Sequence, residues 1–131
     1  LLKYKPDICI IDYLTLLSLG GQRDGWEEYE QISKQLKAMA ASLNIPFFVT
    51  LQANRNAQTK ELLDGNDNPY YNVMQAGDYA FGLTNVKGEK DKVRISDIKN
   101  RHGKNGFDAV YQKDFNKGRI KFLYHNDGSD F

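Results

Sequence analysis

Apolar and polar positions change rhythm partway along the chain, dividing it into an α/β first part and a strand-rich second part. Residues Ile8-Cys9-Ile10-Ile11 are apolar without a break and end at Asp12. A run that does not alternate suits a short strand buried on both faces, over 7–12. Gly20, Gly21 and Gly25 mark a loop over 18–25. Tyr29, Ile32, Leu36, Met39, Ala40 and Leu43 then recur at spacings of three and four, which predicts an amphipathic helix with all six on one face. Asp24 precedes it, and Glu27, Glu28 and Glu30 crowd its first turn, where the helix dipole favours negative charge. Asn44 and Pro46 end it, and a second buried strand over 47–51 follows at once. Strand, helix, strand in that order is a parallel βαβ unit with a right-handed crossover. From Gln52 to Gln75 the chain is polar and Asn-rich, with Gly65 and Pro69, and reads as a long loop. Beyond it, strands are expected over 79–86, 92–100, 107–113 and 119–124. Turns at 87–91, 102–106 and 116–118 make them antiparallel hairpins. The expected fold class is α/β in one domain over 1–131. A parallel α/β core fills 1–86, hairpins fill 87–124, and a tail covers 125–131.

The 131 residues are 40% apolar and 27% charged, which excludes a disordered chain or a fibre. No apolar run approaches the roughly 20 residues of a membrane span. The first residue is leucine and no cleavable signal precedes the first strand, so the chain is expected to begin inside a longer one. A single cysteine, Cys9, allows no internal disulfide and suits a reducing compartment; within an apolar run it reads as a buried, inert thiol. Net charge is only +1, but its distribution is uneven. Residues 1–91 hold nine Lys/Arg against twelve Asp/Glu, whereas 92–121 hold nine against three. A basic carboxy-terminal third fits contact with phosphates or nucleic acid, and equally the solvated face of a hairpin sheet.

Three features could carry chemistry. Asp12 closes a buried parallel strand at the carboxyl edge of the sheet, where open α/β sheets bind ligands. An acid there can hold magnesium through its water shell, or simply cap the following turn. Gln52 closes the neighbouring strand, so the two side chains are expected to emerge side by side. Its amide could touch a terminal phosphate or the attacking water as donor and acceptor, or merely be the polar end of a strand. Lys99-Asn100-Arg101-His102-Gly103-Lys104-Asn105-Gly106 places Lys99 and Arg101 two apart, on one side of a strand. Two cations at a hairpin tip can reach a phosphate on another molecule, the arginine through its planar fork. The other reading is a glycine-rich turn with solubilising charges. His102 and His125 have no zinc spacing, no structural metal is expected, and no nucleophile elbow occurs. Trp26 reads as a packing residue rather than a stacking platform.

Taken in order, these segments resemble the carboxy-terminal, RecA-like ATPase domain of DnaB-type replicative helicases of bacteria and phages. Ile11-Asp12-Tyr13-Leu14-Thr15-Leu16-Leu17 resembles that family's Walker B strand, and Glu30 to Ala40 the helix after it. Asn44 to Arg55 contains a Gln-x-Asn-Arg motif, Lys99 to Gly103 a Lys-x-Arg-x-Gly hairpin, and Met74 to Asp78 is a looser match. The resemblance spans roughly 5–124. It implies a partial P-loop NTPase fold, with ATP and Mg2+ as cofactors and Asp12 holding the metal indirectly. Gln52 would sense the γ-phosphate, and Lys99 and Arg101 would act in trans, Arg101 as an arginine finger for the next subunit's ATP. It also implies a ring, a hexamer in the full-length protein, that translocates on single-stranded DNA in the cytoplasm of a bacterial or phage-infected cell. A primase or loader would be its partner. Arg23, Arg55 and Lys60, in the loops at 18–25 and 55–75, are candidate phosphate contacts.

The chain departs from the pattern in two ways. Gly-x-x-x-x-Gly-Lys-Ser/Thr does not occur, and the catalytic glutamate that precedes Walker B is missing. Alone, the chain is therefore expected not to hydrolyse ATP. Two alternatives remain open: a recombinase-like or clock-type RecA ATPase, and a non-catalytic nucleic-acid-binding or assembly module.

Overall fold

The computed structural model describes residues 6–17, 25–53, 60, 62–64 and 71–126, apart from the side chains of Trp26 and Tyr71. The glycine loop at 18–24 with Arg23 and Asp24, the Trp26 side chain, Arg55 and the tail from 127 lie outside the described residues. The chain forms two compact units, 1–53 with 68–77, and 54–67 with 78–131.

In the first unit, β1 (Cys9–Ile11) and β2 (Phe47–Val49) pair in parallel, joined through α1 (Gly25–Leu43). The register sets Cys9 against Phe47, Ile10 against Phe48 and Ile11 against Val49. Backbone bonds carry the pairing past the strand ends. Thr50 N donates to Ile11 O at 3.0 Å, and Leu14 N donates to Thr50 O at 3.2 Å. α1 ends where expected: Asn44 takes a left-handed φ of 53°, which asparagine tolerates better than most residues. Leu14, in a 3-10 turn after β1, is fully buried with Ile32 of α1 and Val73. Leu17, Tyr29, Leu36 and Leu51 pack around them.

Three expectations for this unit need correction. The strands are not buried on both faces: Ile10 is 68% and Phe48 55% exposed, whereas Ile11 and Phe47 are half-buried. Only one face of the pair is packed by the described residues. Cys9, expected to be buried, is half-buried as well. The stretch from 52 to 75 also does not stay irregular, because α2 (Tyr71–Ala76) closes it and buries Val73 and Met74. Six residues are too few for a helical period to stand out in the sequence.

This small core predicts a sensitive Leu14. Leu14→Ala should cost about 2–5 kcal/mol, the range for emptying a fully buried leucine position. Urea unfolding followed by circular dichroism measures the loss.

The second unit is an antiparallel meander of β3 (Tyr79–Val86), β4 (Glu89–Asn100), β5 (Asp108–Asp114) and β6 (Arg119–His125), in that spatial order. β3 pairs with β4, so the antiparallel part begins at residue 79 rather than at 87. The first turn contracts to Lys87 and Gly88, with Gly88 at φ 79°, and β4 starts at Glu89 instead of Lys92. One face buries Gly82, Thr84, Ser96 and Val110. Leu63 lies so near that a Cβ on Gly82 would sit 3.0 Å from its side chain. Between β4 and β5, Arg94 forks onto the Asp108 carboxylate, with Nε 2.7 Å from Oδ1 and Nη2 on Oδ2. The Gln112 amide donates to Asp91 at 2.6 Å and holds that carboxyl below its usual range. A lowered pKa in the folded state means this bond stabilises the sheet above the ordinary carboxylate range and is lost as pH falls through the lowered value.

Candidate functional site

Asp12 and Gln52 belong to the first unit, and Lys60, Lys99 and Arg101 to the second. Asp12 follows β1 directly and is exposed, with its peptide bond to Tyr13 cis. One step beyond the Ile11–Val49 pair, the register places Thr50, not Gln52, opposite Asp12. The Thr50 hydroxyl donates to Asp12 Oδ1 at 2.5 Å. That bond occupies one carboxylate oxygen, orients the group, and leaves Oδ2 to accept from solvent. Gln52 lies two residues further on, exposed beyond the end of β2. Sequence reading missed Thr50 because its role follows from strand register, not from a local pattern.

No cluster of three His, Cys, Asp or Glu side chains that could enclose a metal occurs among the described residues. A single exposed carboxylate with a free oxygen nevertheless fits magnesium carried in on nucleotide phosphates, since that ion keeps several waters and needs only one or two protein carboxylates.

The second group is the hairpin between β4 and β5. Lys99 is half-buried within β4 opposite Ala80, and Arg101 is the first residue past the strand, with its side chain 43% exposed. Asn100 braces the loop: its carbonyl oxygen accepts from His102 N at 3.1 Å, and its amide donates to Lys104 O at 3.2 Å. A Cβ on Gly103 would sit 3.0 Å from the Asn100 amide, so the glycine of the motif leaves room for that brace. At the far end, Gly106, at φ 135°, donates its N–H to both oxygens of Asp97, at 2.9 and 3.1 Å. The loop therefore presents Arg101 from a framework closed at both ends. The Arg101 guanidinium turns to Asp78, with Nη1 3.2 Å from Oδ1. Lys60, expected as a phosphate contact, pairs with Asp64 at 3.5 Å.

An acid closing a parallel strand, followed in the chain by a braced Lys-x-Arg-x-Gly hairpin, fits the sequence match that covers residues 2–117: the DnaB-like helicase C-terminal domain. The chain belongs to that family. Its fold is that of DnaB-like ATPase domains. One such solved ATPase domain superposes with a TM-score of 0.79 at 22% identity, over 89% of this chain and 44% of that one. The structure of a DnaB-like replicative helicase and its interactions with primase superposes with a TM-score of 0.78 at 22% identity, over 89% of this chain and 31% of that one. The chain thus spans less than half the length of either structure. No curated protein sequence matches it. No helix among the described residues is long and apolar enough to cross a membrane.

Proposed function

We propose that this DnaB-like domain supplies the second part of an ATP-driven replicative helicase, working at the interfaces of a ring to move single-stranded DNA. The braced hairpin carries the reading, because it fixes an arginine at a loop tip where a phosphate on another molecule is within its reach. Magnesium, when bound with ATP, bridges phosphate oxygens and neutralises charge that builds up during transfer. Asp12, steered by Thr50, orders water around that ion. Gln52, beyond the end of the adjacent strand, contacts the γ-phosphate or the attacking water through its amide. Lys99 and Arg101 act on the nucleotide of the neighbouring subunit, Arg101 by donating to the transferring phosphoryl group. The phosphate loop and the catalytic base come from sequence that this chain does not carry. Arg23, Arg55 and Lys60 are the DNA-phosphate contacts of the reading. Primase, named with one structural neighbour, or a loader is the expected partner, and the cytoplasm the place of action.

Steady-state ATP hydrolysis, with and without single-stranded DNA, tests this. The 131-residue chain alone should show no turnover above a Lys99→Ala/Arg101→Ala control. The same chain joined to an upstream segment with a Gly-Lys-Ser/Thr loop should show turnover that DNA stimulates. Salt-sensitive DNA binding without turnover in either form would instead favour a non-catalytic binding module.

A further inference from the structure

Arg101 is held from two directions by one residue. Tyr79 faces Asn100 across the β3–β4 pair, so Asp78 and Arg101 face each other one step further on. Arg101 N donates to Asp78 O at 2.9 Å, and Arg101 Nη1 donates to Asp78 Oδ1 at 3.2 Å. His102 Nε2 stands 3.6 Å from the same carboxylate oxygen, and its ring leans on Tyr79 with centroids 6.0 Å apart. The backbone bond that fixes the Arg101 main chain therefore also fixes the carboxylate that its guanidinium meets.

We propose that Asp78 is a positioning residue for Arg101, restricting the guanidinium to one orientation while leaving its other donors to face a phosphate. The inference rests on Arg101 being the arginine that contacts nucleotide, and it assigns to Asp78 a role in that contact. An unheld arginine loses about 2 kcal/mol of rotamer freedom when it is ordered. An exposed ion pair such as this one, with both side chains about two-fifths exposed, contributes about 0–1 kcal/mol. That is enough to bias the orientation and weak enough to let the arginine follow a phosphate through a catalytic cycle. A monodentate contact through Nη1 engages one of the five guanidinium N–H donors, so the carboxylate directs the fork without filling it. Misplacing a catalytic group by about 1 Å can cost on the order of a hundredfold in rate.

The test is steady-state ATP hydrolysis by the assembled, DNA-stimulated protein carrying this domain and its phosphate loop, comparing Asp78→Ala, Asp78→Asn, Asp78→Glu, Arg101→Ala and the Asp78→Ala/Arg101→Ala double variant. Asp78→Ala should lower kcat by about tenfold with the KM for ATP unchanged. Asp78→Glu should recover part of the loss, and the double variant should be no slower than Arg101→Ala. Asp78→Asn, the isosteric change, guards against loss of fold and should also slow turnover. If Arg101→Ala is slow while both Asp78→Ala and Asp78→Asn match the unaltered protein or exceed it, the positioning role is wrong. Additive losses in the double variant would make Asp78 a structural residue only. An unaffected Arg101→Ala would remove the reading of Arg101 itself, a failure distinct from the other two.

Discussion

Replacing Arg101 with alanine should lower the kcat for ATP hydrolysis in the assembled protein by about a thousandfold or more, with little change in the KM for ATP. An arginine finger is worth roughly 10³–10⁵ in rate because it meets charge that builds up only as the phosphoryl group transfers. Arg101 suits that work by its placement: first past the end of β4, exposed, and on a loop tied by Asn100 and Asp97. Arg101→Lys keeps the charge but loses the planar fork, and should recover only a small part of the activity. Ring assembly, followed by sedimentation, should stay intact in both variants. A KM increase with unchanged kcat would mean that Arg101 binds ATP equally in ground and transition states and is no finger.

Asp12→Asn should reduce turnover or magnesium affinity by about 10- to 100-fold, the usual range for residues that order the water and ligands around a metal. The substitution preserves shape and a hydrogen-bond acceptor for Thr50, so what it removes is the charge. Part of the loss should return at raised magnesium concentration. Thr50→Val is the finer probe. It deletes the 2.5 Å bond to Oδ1 and keeps the side-chain volume, so it should shift the magnesium dependence in the same direction by a smaller factor. A magnesium titration of hydrolysis distinguishes these outcomes. An Asp12→Asn variant with an unaltered magnesium profile would remove Asp12 from the metal.

The features legible in the sequence were those that local pattern controls. The three-and-four spacing from Tyr29 to Leu43 marked α1, and Asn44 marked its end. The apolar run stopped by Asp12 located the end of β1, and β3 runs over 79–86 as its sequence suggests. What stayed hidden depends on relations between segments. Ile10 and Phe48 read as two-sided burial, but a short apolar run looks the same whether one face or both are covered. Charged Glu89, Lys90 and Asp91 suggested a turn, yet exposed edge positions of a strand accept charge, and the real turn needs only Lys87 and Gly88. In the candidate site, Asp12, Gln52, Lys99 and Arg101 stood out as residue types at strand ends and in a motif. Thr50 and Asp78 did not: each gains its partner from register, Thr50 beside Asp12 across a parallel pair and Asp78 beside Arg101 across an antiparallel one.

The central claim is that Arg101 of one subunit completes the site containing Asp12 of another. Mixing Arg101→Ala subunits with Asp12→Asn subunits and measuring single-turnover ATP hydrolysis tests it most directly. In a head-to-tail ring assembled at random from equal amounts, roughly a quarter of the interfaces join an intact Asp12 to an intact Arg101. The account predicts that the mixture hydrolyses ATP in a burst of about that size, while each variant alone stays near background. A mixture no more active than its two components would place both residues in the same subunit's site and contradict the account.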